Sequence, residues 1–248
     1  MSETEYPRQL RRLVQAMSMP NRERGVAASL SPQSTPSRVK MFVDGNLEKR
    51  RDKLEKQLEF VAAAFEDFDE MIVEYIKAGP LAAFGCAASD GEQMLKWLVG
   101  SRAVTAEQRD YISCQQARHA VEQRARRDRL AYVRFQELSS LVDELLPQVG
   151  RDDRLRLWLN PTRVWATFET TELVDEDVEP PVNVLFFGSR GAVASAVLEL
   201  EGQALLNELA DYQPCHISQW AEVSSWADRD ELIEFARDLA EMGLVAIG

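Results

Sequence analysis

Residues Val182 to Leu200 read VNVLFFGSRGAVASAVLEL, two apolar runs around a Gly-Ser-Arg-Gly turn. Runs rich in β-branched and aromatic residues suit a pleated, buried surface, and glycines at a turn supply backbone angles that other residues rarely adopt. The spacing predicts a β-hairpin, with Gly188 and Gly191 in its turn. The chain then becomes helical. Leu205, Leu206 and Leu209 share a face within EGQALLNELADY, ISQWAEVSSW is a second short helix and DRDELIEFARDLAEMG a third. Asp228 caps this third helix, Leu232, Phe235, Ala236 and Leu239 face inward, and Gly243 ends it before LVAIG returns as a strand. Two strands, three helices and a closing strand outline a winged helix-turn-helix over residues 181–248.

Upstream, residues 151–180 alternate apolar and polar side chains through RLRLWLNPTRVWATFETTEL and end in the acidic VDEDVEPP. They read as an extended bridging segment with Pro161 in its middle. Residues 1–150 read as a helical domain. Arg8–Met19 is a short first helix, followed by a Ser- and Pro-rich loop. Leu47, Leu54, Leu58, Val61, Phe65, Phe68, Ile72 and Tyr75 recur at helical spacing, which predicts one helix of about eight turns closed by Gly79 and Pro80. Ser89 or Asp90 caps a short helix, and Thr105 caps a long one running to Pro147. Arg124 and Asp128 interrupt the apolar seam of that helix. Four residues apart, they are placed to pair with each other, and the helix surfaces or breaks there. The expected class is therefore α+β, mainly α, with an N-terminal helical domain and a C-terminal winged-helix-like domain.

Composition narrows the function. The chain of 248 residues is 45% hydrophobic and 28% charged, ordinary for a globular protein. No apolar run is long enough for a membrane helix, and the N-terminus lacks the apolar core of a secretory signal. Three dispersed cysteines make no disulfide framework, so the cytoplasm is the expected compartment. The net charge is −12, and residues 181–248 carry three arginines against eleven carboxylates. Such a surface repels phosphate, so nucleic acid is not an expected partner. A DNA-binding regulator is the alternative use of a helix-turn-helix, but both candidate recognition helices are rich in carboxylates. The basic stretch Arg118–Arg134 is the one feature in its favour.

Chemistry is hard to find. Cys215 sits beside His216, the pair best suited to metal or thiol chemistry. Two adjacent residues cannot complete a metal site, and no CxxC, HxxxH or HExxH spacing occurs. The pair lies where one helix of the C-terminal domain turns into the next, so it reads as a turn, with Cys215 packed inward. His119 stands about a hundred residues away, out of phase with its own helix's seam. GxSxG, Walker and GxGxxG motifs are lacking, and no catalytic or metal-ligating residue is expected in this chain. A stand-alone enzyme with an unrecognised site remains a further reading.

PSRVKMFVDGNLEKRRDKLEKQLEF, RLRLWLNPTRVWATF and the C-terminal segment from Pro181 to Val223 together resemble the partner subunits of multinuclear non-haem iron-dependent oxidases. These partners serve the maturation of ribosomally made peptides of the methanobactin and 3-thiaglutamate type, and the overall likeness favours the latter. Arg38, Phe42, Asn46 and Leu47 match the family's arginine, aromatic, asparagine, leucine pattern. The resemblance implies a required non-catalytic subunit that holds a precursor peptide and docks on the oxidase as a heterocomplex. The irons would belong to that oxidase, which would oxidise a cysteine of the peptide. It also implies a peptide-recognition module in which a leader adds as a strand to the winged-helix sheet and lies against the last helix. The expected peptide-binding residues are Val193, Ser195 and Val197 on the second strand and Glu231, Phe235 and Asp238 on the third helix. The acidity of this domain suits a leader carrying basic residues.

Overall fold

The structure, a computed structural model, describes residues 36–78, 89–174 and 178–248. The helix expected at Arg8–Met19, most of the Ser- and Pro-rich loop after it, and the Gly79–Pro80 stop lie outside the described residues. The chain is α+β and mainly helical, with two small antiparallel sheets. It divides into two compact units, residues 1–112 and 113–248.

In the first unit, α1 (Pro36–Gln57), α2 (Glu59–Ala62), α3 (Phe68–Ala78) and α4 (Asp90–Ser101) enclose one apolar cluster. The single eight-turn helix expected from Leu47 to Tyr75 is instead three pieces. Leu58 leaves helical geometry at φ −119° and ψ 20°, and the chain turns again before Phe68. Packing explains the difference. Folded back, Leu54, Leu58 and Val61 are buried together with Phe65, Phe68, Ile72 and Tyr75, and Met94, Leu95 and Leu98 of α4 complete the cluster. A straight rod has no second surface on which to bury its stripe. Ser89 caps α4 as expected, accepting from the Glu92 N–H while the Glu92 carboxylate accepts from the Ser89 N–H. An ion pair ties the helices together. Arg50 of α1 grips the Asp90 carboxylate with two hydrogen bonds of 2.7 and 2.8 Å, and the Tyr75 hydroxyl of α3 donates to the same carboxylate at 2.8 Å.

α5 (Ala106–Arg127) begins at the Thr105 cap, which exchanges hydrogen bonds with Gln108. It does not reach Pro147. It stops at Asp128, and α6 (Arg129–Ser139), α7 (Val142–Leu145) and a 3-10 turn, Leu146–Gln148, follow. The expected Arg124–Asp128 pair is not formed: Asp128 pairs with Arg127, and Arg124 donates to the Arg163 carbonyl.

Five strands belong to the second unit: β1 (Leu157–Leu159), β2 (Val164–Phe168), β3 (Val182–Ser189), β4 (Ala192–Val197) and β5 (Val245–Ile247). The hairpin is present, with Ser189 opposite Ala192 and only Arg190 and Gly191 between. Its left-handed pair is Arg190 and Gly191, with φ of 49° and 82°, rather than two glycines. Gly188 serves elsewhere: it lies within β3, where an added Cβ would come within 2.5 Å of the Tyr132 hydroxyl. β4 stops at Val197, short of the expected end, and α8 (Leu200–Tyr212) starts three residues later. α9 (Ile217–Val223) and α10 (Arg229–Met242) are the remaining helices, and Gly243 ends α10 at φ 83°.

The bridging segment is built into the sheets. β2 joins the hairpin in the order β2-β3-β4, and the closing strand β5 pairs with β1, not with the hairpin. Past the exposed Asn183, β3 is apolar on both faces because both faces are covered. Val182, Val184 and Phe186 meet Cys114, Ala117 and Val121 of α5, while Leu185 and Phe187 join the cluster of α8, α9 and α10.

Candidate functional site

β4 is the outer strand of its sheet, paired with β3 on one side only. The tight turn makes Ser189 and Ala192 its hydrogen-bonded ends. An antiparallel ladder then alternates, so the N–H and C=O of Val193, Ser195 and Val197 point away from β3. The other side of the hairpin follows the same alternation. Gly188, opposite Val193, turns its N–H and C=O toward β2, where Thr162 Oγ1 accepts at 2.8 Å and Asn160 Nδ2 donates at 2.8 Å. β4 therefore presents three residues with backbone donors and acceptors aimed outward. Its side chains are small: Ala192, Ala194, Ser195 and Ala196 leave a low wall beside that edge.

The expected site residues divide between the two faces of the sheet. Val193 and Val197 pack with the α5 cluster, whereas Ala194 and Ala196 pack with the cluster that contains α10. Val193 and Val197 thus do not share a groove with Glu231, Phe235 and Asp238. The β4 side chains on the α10 side are Ala194 and Ala196, displaced by one residue from the expected set because side chains alternate along a strand. Phe235 is half-buried, its ring 6.3 Å from that of Trp220 and against Gly202 of α8. Glu231 caps α10, accepting from the Asp228 N–H at 2.8 Å. Asp238 is exposed.

A buried polar knot braces this hairpin. Asn160 and Thr162 are both fully buried. Asn160 Nδ2 donates to the carbonyls of Gly188 and Gly243, and its Oδ1 accepts from the Thr162 N–H and from the Thr162 hydroxyl at 2.7 Å. The turn between β1 and β2, the end of β3 and the end of α10 are thereby held on two side chains. The signal for it was Asn-Pro-Thr, a turn composition inside a segment that otherwise alternates like a strand.

Cys215 and His216 are absorbed into structure. Cys215 is buried in the core, its carbonyl accepts from the Leu157 N–H at 2.8 Å, and burial pushes its thiol up to about 11. His216 Nδ1 lies 3.1 Å from the Leu155 carbonyl, and its N–H donates to Gln219 as α9 begins. Cys114, in the α5 cluster, is also pushed up to about 11 by burial, which outweighs the opposing Arg118 charge. Of the basic stretch, Arg124 is bound to the Arg163 carbonyl, Arg134 lies 4.6 Å over the Trp158 ring, and Arg126 and Arg127 meet Glu122 and Asp128. Among the described residues no group of three or more His, Cys, Asp or Glu side chains is placed to hold a metal, and no helix is long and apolar enough to cross a membrane.

Comparison with protein-family models, with curated proteins and with solved structures finds no match to this chain.

Proposed function

We propose that this chain is a peptide-holding accessory subunit of an iron-dependent oxidase of ribosomal-peptide maturation, with a 3-thiaglutamate-type pathway favoured. The observation that carries the proposal is the open edge of β4. A precursor peptide in extended form adds there as a fourth strand, bonding to the outward N–H and C=O groups of Val193, Ser195 and Val197. Each such bond contributes about 0.5–1.5 kcal/mol net, so affinity builds from the row and not from any one contact. In this reading the hairpin with α8, α9 and α10 is a winged-helix-like recognition domain. Glu231, Phe235 and Asp238 act as flanking contacts on the α10 side, where Ala194 and Ala196 let a backbone approach. The exposed carboxylates of α10 favour a peptide with basic residues. The irons belong to the oxidase, which oxidises the peptide's cysteine, and the two proteins form a heterocomplex.

Two experiments test this. Co-expression with the oxidase and precursor peptide should yield a complex, and omission of this chain should stop oxidation of the peptide cysteine; oxidation that proceeds without it sinks the proposal. Ser195→Pro removes an outward N–H that no β3 carbonyl accepts, and proline is tolerated on an edge strand with its nitrogen facing out. The variant should keep its circular dichroism spectrum and weaken peptide binding by about tenfold, the equivalent of one or two lost bonds.

A further inference from the structure

A pocket of about 820 Å³ opens at the turn end of the hairpin, where α6, α7, the Arg190 turn and the last residues of α10 meet. Its volume is in the range of small-molecule and short-peptide sites. Arg190 brings a cation, and Asp143 and Glu241 bring two carboxylates. All three are exposed at the pocket rim and none makes an ion pair among the described residues, so opposite charges border one cavity without closing on each other. Ser139 adds a buried hydroxyl with no hydrogen-bond partner, and Phe135 and Tyr132 supply apolar wall. The carbonyl end of α10 beside Glu241 adds partial negative charge on that side.

We infer that this pocket binds a short peptide by its free ends, the carboxylate on Arg190 and the ammonium between Asp143 and Glu241. A ligand carrying both signs complements the three charges together, whereas a ligand of one sign leaves at least one of them opposed. The position of Arg190 supports the assignment. It holds φ 49° at a hairpin site where glycine or asparagine is the low-strain choice, so the turn itself does not call for an arginine there. The inference is independent of peptide addition at β4, and Ser195→Pro leaves the pocket lining intact.

The test is calorimetric titration of the full chain with alanyl-leucyl-alanine, its N-acetyl form and its C-terminal amide. The unblocked tripeptide should bind saturably, and blocking either end should weaken binding about tenfold, as expected for loss of a charge-assisted contact. Arg190→Gly relieves the turn and should unfold no earlier than the native chain, yet bind the acid and the amide equally. Asp143→Asn combined with Glu241→Gln should erase the preference for the free amine. Absence of saturable binding, equal binding of all three peptides, or an undiminished preference for the acid in Arg190→Gly each overturns the inference.

Discussion

Thr162 and Asn160 show how much of the hairpin's position rests on two side chains. Replacing Thr162 by Val keeps the volume but leaves the buried Gly188 N–H without its acceptor, at a cost of about 1–3 kcal/mol. Urea denaturation should place Thr162→Val lower by that amount and Thr162→Ser near the native value; equal stability for all three would mean the knot is dispensable. The two buried thiols carry a different prediction. With pKa values pushed up to about 11 by burial, Cys114 and Cys215 hold little thiolate at neutral pH. Both should resist iodoacetamide in the folded chain and react fully in denaturant, as read by peptide mass spectrometry. Rapid native labelling of Cys215 would revive the reactive pair that its neighbour His216 brings to mind. The sequence made the pair conspicuous by residue type alone. Burial, which decides reactivity, comes with the bridge of Cys215 to Leu157, 58 positions earlier, and with a core cluster drawn from distant elements, which a local reading does not show.

Helices and strands were legible in proportion to how local their causes are. The hairpin and α8, α9 and α10 are specified by turn chemistry, caps and apolar spacing within a few residues, and all appear in the structure. The break between α1 and α3 was not legible. Ala63 and Ala64 are good helix formers, no glycine or proline lies there, and the apolar stripe passes through unbroken. Tertiary burial wins over propensity at that point. The pairing of β5 with β1 is equally non-local, joining Leu157 to Ile247 across 90 positions. The folded arrangement of α1, α3 and α4 has a titratable signature in Asp90. Burial pushes its carboxyl up, but the hydrogen bonds and charge of Arg50, with the Tyr75 hydroxyl, outweigh that and hold it below the ordinary value of 3.8. A carboxylate with a lowered folded pKa stabilises the fold above its unfolded value, and that contribution disappears as pH falls through the folded one. Between pH 7 and 5, Asp90→Asn should be less stable than the native chain. Below pH 3.8 the gap should shrink, a convergence that chemical denaturation at stepped pH measures directly. A gap that stays constant with pH would show that Asp90 acts without its charge.

At the level of the full chain, each apolar cluster draws its residues from one side of residue 112. Leu54 to Ile112 supply the first, and Cys114 to Ile247 supply the other two. Separate cores of this kind predict separate cooperativity. α5 is the element that runs past the boundary, and its start is specified by the Thr105–Gln108 capping exchange, so a fragment should retain those residues. Residues 104–248 expressed alone should fold, with one cooperative denaturation transition and a circular dichroism spectrum containing both helix and strand. The full chain should show two transitions, one of which coincides with that of the fragment. If the β4 edge holds the peptide, the fragment should bind it as tightly as the full chain does, because every residue assigned to that edge lies within it. Its affinity for a basic peptide should fall as salt rises, since the carboxylates of α10 are exposed and their attraction is screened over about 10 Å at 0.1 M. A fragment that fails to fold would tie the second unit to residues before 104; a folded fragment that no longer binds would move peptide recognition away from β4.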